Sequence, residues 1–173
     1  MLKKKKMEEQ NNKPRIGFAR QTARKLLANV GIKSPPVLIR DVMGHIKKEK
    51  DLSIYPWSFS NSTDGIQITE GEKTTIGYNQ TQHPHRQRFT VAHEIGHLLL
   101  GHTGKNFILD LNSKKPEEIE ANQFAAELLM PLEMLKKDFQ NGKKNAKDIA
   151  KTYNVSEEAV WWRLYDCKLI TKI

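Results

Sequence analysis

Apolar residues recur along the chain at two periods, and the changes between them divide it. Ile16, Ala19, Ala23, Leu26 and Leu27 follow the spacing of one buried helix face, with Gly31 placed to close the helix. Pro35 and Pro36 restart the chain at a second helix, whose stripe is Val37, Leu38, Val42 and Ile46. The period then falls to two. Residues 52–59, 65–68 and 74–78 alternate or favour β-formers, with turn residues at 61–65 and 70–71 between them. They predict three short strands in an antiparallel meander, the first at an edge or a bulge because Pro56 cannot donate to a ladder. Helical spacing returns over about 84–100, closed by Gly101, and again between Pro116 and Pro131. A short helix is expected over 132–139, followed by two more about a turn within 146–165, where Ser156 is a natural N-cap. The expected class is α+β, with helices packed around a small three-stranded antiparallel sheet.

Composition adds bounds to this picture. A chain of 173 residues and 19.9 kDa is long enough for one core. We expect residues 14–141 to form the main domain and 142–173 a helical segment packed on it. Residues 1–13 are expected to be a disordered basic terminus, being polar and charged with little to bury. Cys167 is the only cysteine, which suits a reducing compartment. No apolar run has the length of a bilayer span, and polar residues follow the basic start where a signal peptide would be apolar. The expectation is a cytoplasmic protein without a membrane anchor. The net charge of +9 is concentrated at one end: residues 1–50 carry a surplus of 10 basic groups and residues 51–173 a deficit of 1. Phe18 is the single Phe, Tyr or Trp in that stretch, too little to stack on a run of bases, so a solvated tail and a charged helix face account for it.

Chemistry enters at Arg88-Phe-Thr-Val-Ala-His-Glu-Ile-Gly-His97. Residues four apart share a helix face, so His93 and His97 can bind one Zn²⁺ through ring nitrogens. Glu94, between them, points toward the metal's open position and can take a proton from a bound water. Phe89, Val91, Ala92, Ile95, Leu98, Leu99 and Leu100 set both imidazoles beside a core, where an imidazole pair needs partners. Gly96 costs helix stability, which suggests close packing against a neighbouring element. Catalytic zinc normally takes three protein ligands. Zincins with three histidines would need glycine and histidine where this chain has Leu100 and Thr103, so a carboxylate from a later helix is the expected third donor. Between Pro116 and Pro131 the apolar face is Ala121, Phe124, Ala125, Leu128 and Leu129. Glu118 lies about 60° from its centre and Glu120 about 100°. Glu118 is the better aimed, while Glu117 has an ordinary explanation in the helix dipole. Asn122, one turn after Glu118, can support a ligand's outer atom.

The first motif together with Glu118-Ile-Glu-Ala-Asn-Gln-Phe-Ala-Ala-Glu-Leu-Leu-Met-Pro131 resembles the ImmA/IrrE family of bacterial and phage-borne zinc peptidases, from about Arg15 onward. The resemblance implies a zincin-like fold related to thermolysin. It also implies His93, His97 and Glu118 as zinc ligands and Glu94 as general base. Members of that family cleave, or act with, a helix-turn-helix repressor encoded nearby, which relieves repression of mobile-element or stress genes.

The expected activity is therefore zinc-dependent peptide-bond hydrolysis, with a helix-turn-helix repressor as protein substrate. The alternative is a module of the same fold that sequesters a repressor or antitoxin without cutting it. Tyr78 and His102 are the candidates for stabilising the tetrahedral oxyanion. The helical pair within 146–165 has the outline of a helix-turn-helix reader, but its second helix opens with Glu157 and Glu158, which repel phosphate. DNA binding is not expected. Val155, Val160, Trp161, Leu164 and Leu169 should instead pack on the core.

Overall fold

The computed structural model describes residues 13–59, 63–102, 107–108 and 113–172. All of the basic terminus except Lys13 lies outside them, as do Thr103 and part of the turn at 61–65.

Helix α1 (Ile16–Val30) buries Ala19, Ala23, Leu26 and Leu27, the stripe read from their spacing. Gly31 closes it in the left-handed region at φ 80°. Its N–H bonds to the Ala28 carbonyl, and that of Ile32 to the Leu27 carbonyl. Helix α2 (Ile39–Ile46) begins later than the two prolines suggested, because Pro36 pushes Pro35 away from helical backbone and Leu38 is still extended. Val37, left outside the helix, is fully buried, and its carbonyl accepts from Arg88 Nη2 at 2.9 Å.

The sheet corrects the expected antiparallel meander. Strands β1 (Asp51–Trp57), β2 (Gly65–Glu70) and β3 (Lys73–Asn79) are joined by β4 (Phe107–Ile108) in the order β1-β3-β2-β4. β2 and β3 form the antiparallel hairpin that Glu70 and Gly71 indicated, but β1 runs parallel to β3. The sheet is therefore mixed. β2 begins two strand spacings from β1, about 10 Å away on the far side of β3, and not on the neighbouring position a meander would give it. Pro56 does sit on an edge strand.

Helix α3 (Pro84–Leu100) is the centre of the fold: every residue from Thr90 to Leu98 is buried. Val91, Ala92 and Ile95 belong to one core cluster with the α1 stripe and with Phe124, Ala125 and Leu128 of helix α4 (Pro116–Leu129). A helix apolar on all sides must be enclosed by its neighbours.

Helices α5 (Leu132–Gln140), α6 (Ala146–Tyr153) and α7 (Glu157–Asp166) follow, the last capped by Ser156 as its spacing indicated. Val155, Val160 and Leu164 join the same cluster, and Leu169 packs against it. Trp161 departs from expectation, 37% exposed. Arg163 of the same helix is buried, and its guanidinium pairs with Glu127 of α4 and donates to the Met130 carbonyl at 3.1 Å. Among the described residues no helix is long and apolar enough to cross a membrane.

Candidate metal centre

Helical spacing brings His93 and His97 onto one face of α3, with their Nε2 atoms 2.9 Å apart. Glu118 reaches the same point from α4. Its Oε2 lies 3.2 Å from His93 Nε2 and its Oε1 3.5 Å from His97 Nε2. One ligand atom from each of the three falls within 4.8 Å of the others, and all three side chains are buried. Two imidazole nitrogens and one carboxylate oxygen suit a divalent cation that keeps a further position for water.

The outer atoms of the imidazoles decide where their protons sit. His93 Nδ1 lies 2.8 Å from Asn122 Oδ1, which can only accept, so the His93 proton is on Nδ1. His97 Nδ1 lies 3.0 Å from His102 Nδ1, and His102 Nε2 lies 3.0 Å from Glu120 Oε2. Burial works to raise the Glu120 carboxyl, but hydrogen bonds from Arg15 and His102 hold it down at about 2. Ionised, Glu120 accepts from His102 Nε2–H, which leaves His102 Nδ1 to accept from His97 Nδ1–H. Burial also works to keep His97 and His102 below the ordinary imidazole value. Glu118 faces both inner Nε2 atoms: burial would raise its carboxyl, but hydrogen bonds from His93 and His97 bring it to about 2. Two ring nitrogens and a carboxylate oxygen thus converge on one buried point, as the donors of a metal site do. The residues present fit a metal ion.

Glu94 is placed differently. Its carboxylate is fully buried, and neither oxygen takes a hydrogen bond from the described residues. Burial, with the negative charge of Glu118 adding to it, pushes its carboxyl up to about 8. A buried, unsatisfied acid beside a donor cluster costs stability and is characteristic of sites that move protons.

Strand β2 comes against this acid. A Cβ on Gly65 would stand 3.6 Å from Glu94 Oε1 and 2.4 Å from the Thr90 methyl. The sheet edge nearest Glu94 is therefore beyond β2, at β4, and not at β1, where Pro56 lies.

His102 is not free to stabilise an oxyanion, since both its ring nitrogens are engaged within the fold. Tyr78 packs against the core from β3. The helical wheel placed Glu120 at the flank of the apolar face, less well aimed than Glu118, and in the structure it is buried against Arg15 and His102. The one signal for this pairing is that Gly101 ends α3 immediately before His102, so that residue leaves the helical period.

Residues 48–165 match the family model described as the IrrE N-terminal-like domain, Peptidase M78. Comparison with curated proteins returned no match. Among solved structures the chain is similar to a Mycobacterium tuberculosis transcriptional regulator, at 13% identity and a TM-score of 0.62. The match covers 91% of this chain and 48% of that one, so the chain spans about half the regulator's length. At that identity the likeness is one of fold.

Proposed function

Since the chain belongs to the Peptidase M78 family of IrrE N-terminal-like domains, its model matching residues 48–165, we propose that it is a zinc-dependent endopeptidase acting in the cytoplasm on a helix-turn-helix repressor. The observation that carries this reading is Glu94, buried and without a hydrogen-bond partner among the described residues, directly beside the His93, His97 and Glu118 donors.

In this reading His93, His97 and Glu118 hold the metal, with Asn122 orienting His93 from outside. Bound Zn²⁺ supplies a Lewis acid that lowers the pKa of water and polarises a carbonyl. Glu94 accepts the proton of the attacking water and delivers it to the leaving amine. Its burial, with no hydrogen bond from the described residues to hold either oxygen, leaves the carboxylate available for that exchange. The substrate class is supported by the ImmA/IrrE resemblance, whose members act with repressors of mobile-element or stress genes.

The test is incubation of the purified, zinc-loaded protein with the repressor encoded beside its gene. Wild type should produce defined fragments, and Glu94→Gln should produce none while still binding the repressor. An intact repressor after incubation with wild type, or equal cutting by both proteins, would overturn the proposal. Derepression that survives Glu94→Gln would move the assignment to a sequestering module.

A further inference from the structure

We propose that His102, Glu120 and Arg15 form a chain of positioning residues that sets how tightly His97 holds its metal, an inference that rests on the zinc reading above.

The chain begins where α3 ends. Gly101, in the left-handed region at φ 77°, lets the backbone fold back on itself, so the His102 N–H donates to the His97 carbonyl at 3.0 Å. The same residue that His102 meets through its ring is therefore also gripped through its backbone. The two ring centroids are 5.1 Å apart and their planes are inclined by 68°, which aims His102 Nδ1 at His97 Nδ1.

Glu120 holds the far side of His102 and is itself held. Its Oε1 accepts from the Arg15 backbone N–H at 2.7 Å and from Arg15 Nε at 3.0 Å, and its Oε2 accepts from Arg15 Nη2 at 2.8 Å. Arg15 immediately precedes α1, so the start of that helix is clamped through Glu120 to the outer edge of the donor cluster. The carboxylate has no freedom to turn away from His102 Nε2.

His93 is supported differently, by one neutral carboxamide from Asn122. His97 is supported by a relay that ends in the Glu120–Arg15 pair. Hydrogen bonds in such a chain polarise one another, so acceptance by Glu120 at the far nitrogen makes His102 Nδ1 a stronger acceptor. The His97 Nδ1–H bond is thereby strengthened, and the opposite nitrogen, Nε2, becomes the better donor to a cation. Partners of this kind fix the tautomer and plane of a ligating ring, and their loss costs about 10–100-fold in metal affinity.

The test uses the full chain. Zn²⁺ affinity is measured by competition with a chromophoric chelator, and the d–d absorption of the Co²⁺-loaded protein is recorded, for wild type, Glu120→Gln, His102→Phe and His102→Gln. Glu120→Gln and His102→Phe should bind Zn²⁺ about 10–100-fold more weakly and alter the Co²⁺ bands. His102→Gln keeps an oxygen able to accept from His97 Nδ1–H and should recover most of the affinity. If His102→Phe does not fold, the nearly isosteric Glu120→Gln carries the comparison. Wild-type affinity and spectrum in Glu120→Gln, or equal loss in both His102 variants, would overturn the proposal. A wild type that binds no Zn²⁺ would instead remove the metal reading beneath it.

Discussion

Gly96 of α3 lies directly against Ala121 of α4: a Cβ on Gly96 would come within 3.3 Å of the Ala121 Cα and 3.0 Å of the Phe124 ring. The contact sets the separation of the two helices that carry His93, His97 and Glu118. A methyl group there gains about 1 kcal/mol of helix propensity, but overpacking costs about 1–3 kcal/mol. Gly96→Ala should therefore lower the melting temperature. It should weaken Zn²⁺ binding further, because Glu118 lies one turn before Ala121. Calorimetry and chelator competition would check both, and an unchanged Zn²⁺ affinity would contradict the role given to this contact.

Glu94 makes the metal-free protein sensitive to pH. Its carboxyl rises from 4.5 to about 8 on folding, so the folded state keeps a proton that the unfolded chain has released. That contribution to stability is complete below pH 4.5, is lost as pH rises toward 8, and is flat above. Metal-free Glu94→Gln should melt above metal-free wild type at pH 8, with the gap narrowing steadily as pH falls toward 5. Melting curves in the presence of chelator measure it, and a gap independent of pH would refute the assignment.

Gly65 holds strand β2 against α3, where a Cβ would meet the Thr90 methyl at 2.4 Å and the Gly77 carbonyl at 3.1 Å. Gly65→Ala should cost about 1–3 kcal/mol, or roughly 2–4 °C per kcal/mol in a domain of this size. Adding Thr90→Ser removes the methyl and should restore part of the loss. Thermal melts of the single and double variants decide the matter.

Arg163 and Glu127 form a buried ion pair that ties α7 to α4. Removing one partner of such a pair costs about 3–5 kcal/mol. Glu127 retains Arg24 Nε at 2.8 Å and the Leu132 N–H at 3.2 Å, so Arg163→Met should fall at the lower end of that range. Denaturant titration would show it as a lower midpoint.

Zinc should stabilise the fold by mass action. Above saturation each tenfold rise in free Zn²⁺ adds about 1.4 kcal/mol. The melting temperature should climb with the logarithm of zinc concentration in wild type and stay nearly level in His97→Ala.

What the sequence determined by itself is the local chemistry. The His93–His97 spacing, the Gly31 and Gly101 helix ends, the Ser156 cap and the β2–β3 turn follow from backbone geometry within a few residues, which composition and spacing express directly. The aim of Glu118 was legible for the same reason, as an angle on one helix. Tertiary structure alone decided the rest. The parallel pairing of β1 with β3 depends on where a seven-residue link carries the chain, and alternation along a strand does not encode its neighbour. Glu120 stood at the flank of its own helix's apolar face, but Arg15 and His102, 105 and 18 residues away, enclose it. Arg163 is buried against Glu127 of another helix, while Trp161 stays partly exposed. For Glu120 and for Arg163 with Glu127, the energy of a buried charge is set by partners distant in sequence, which only the packed chain brings within hydrogen-bonding reach.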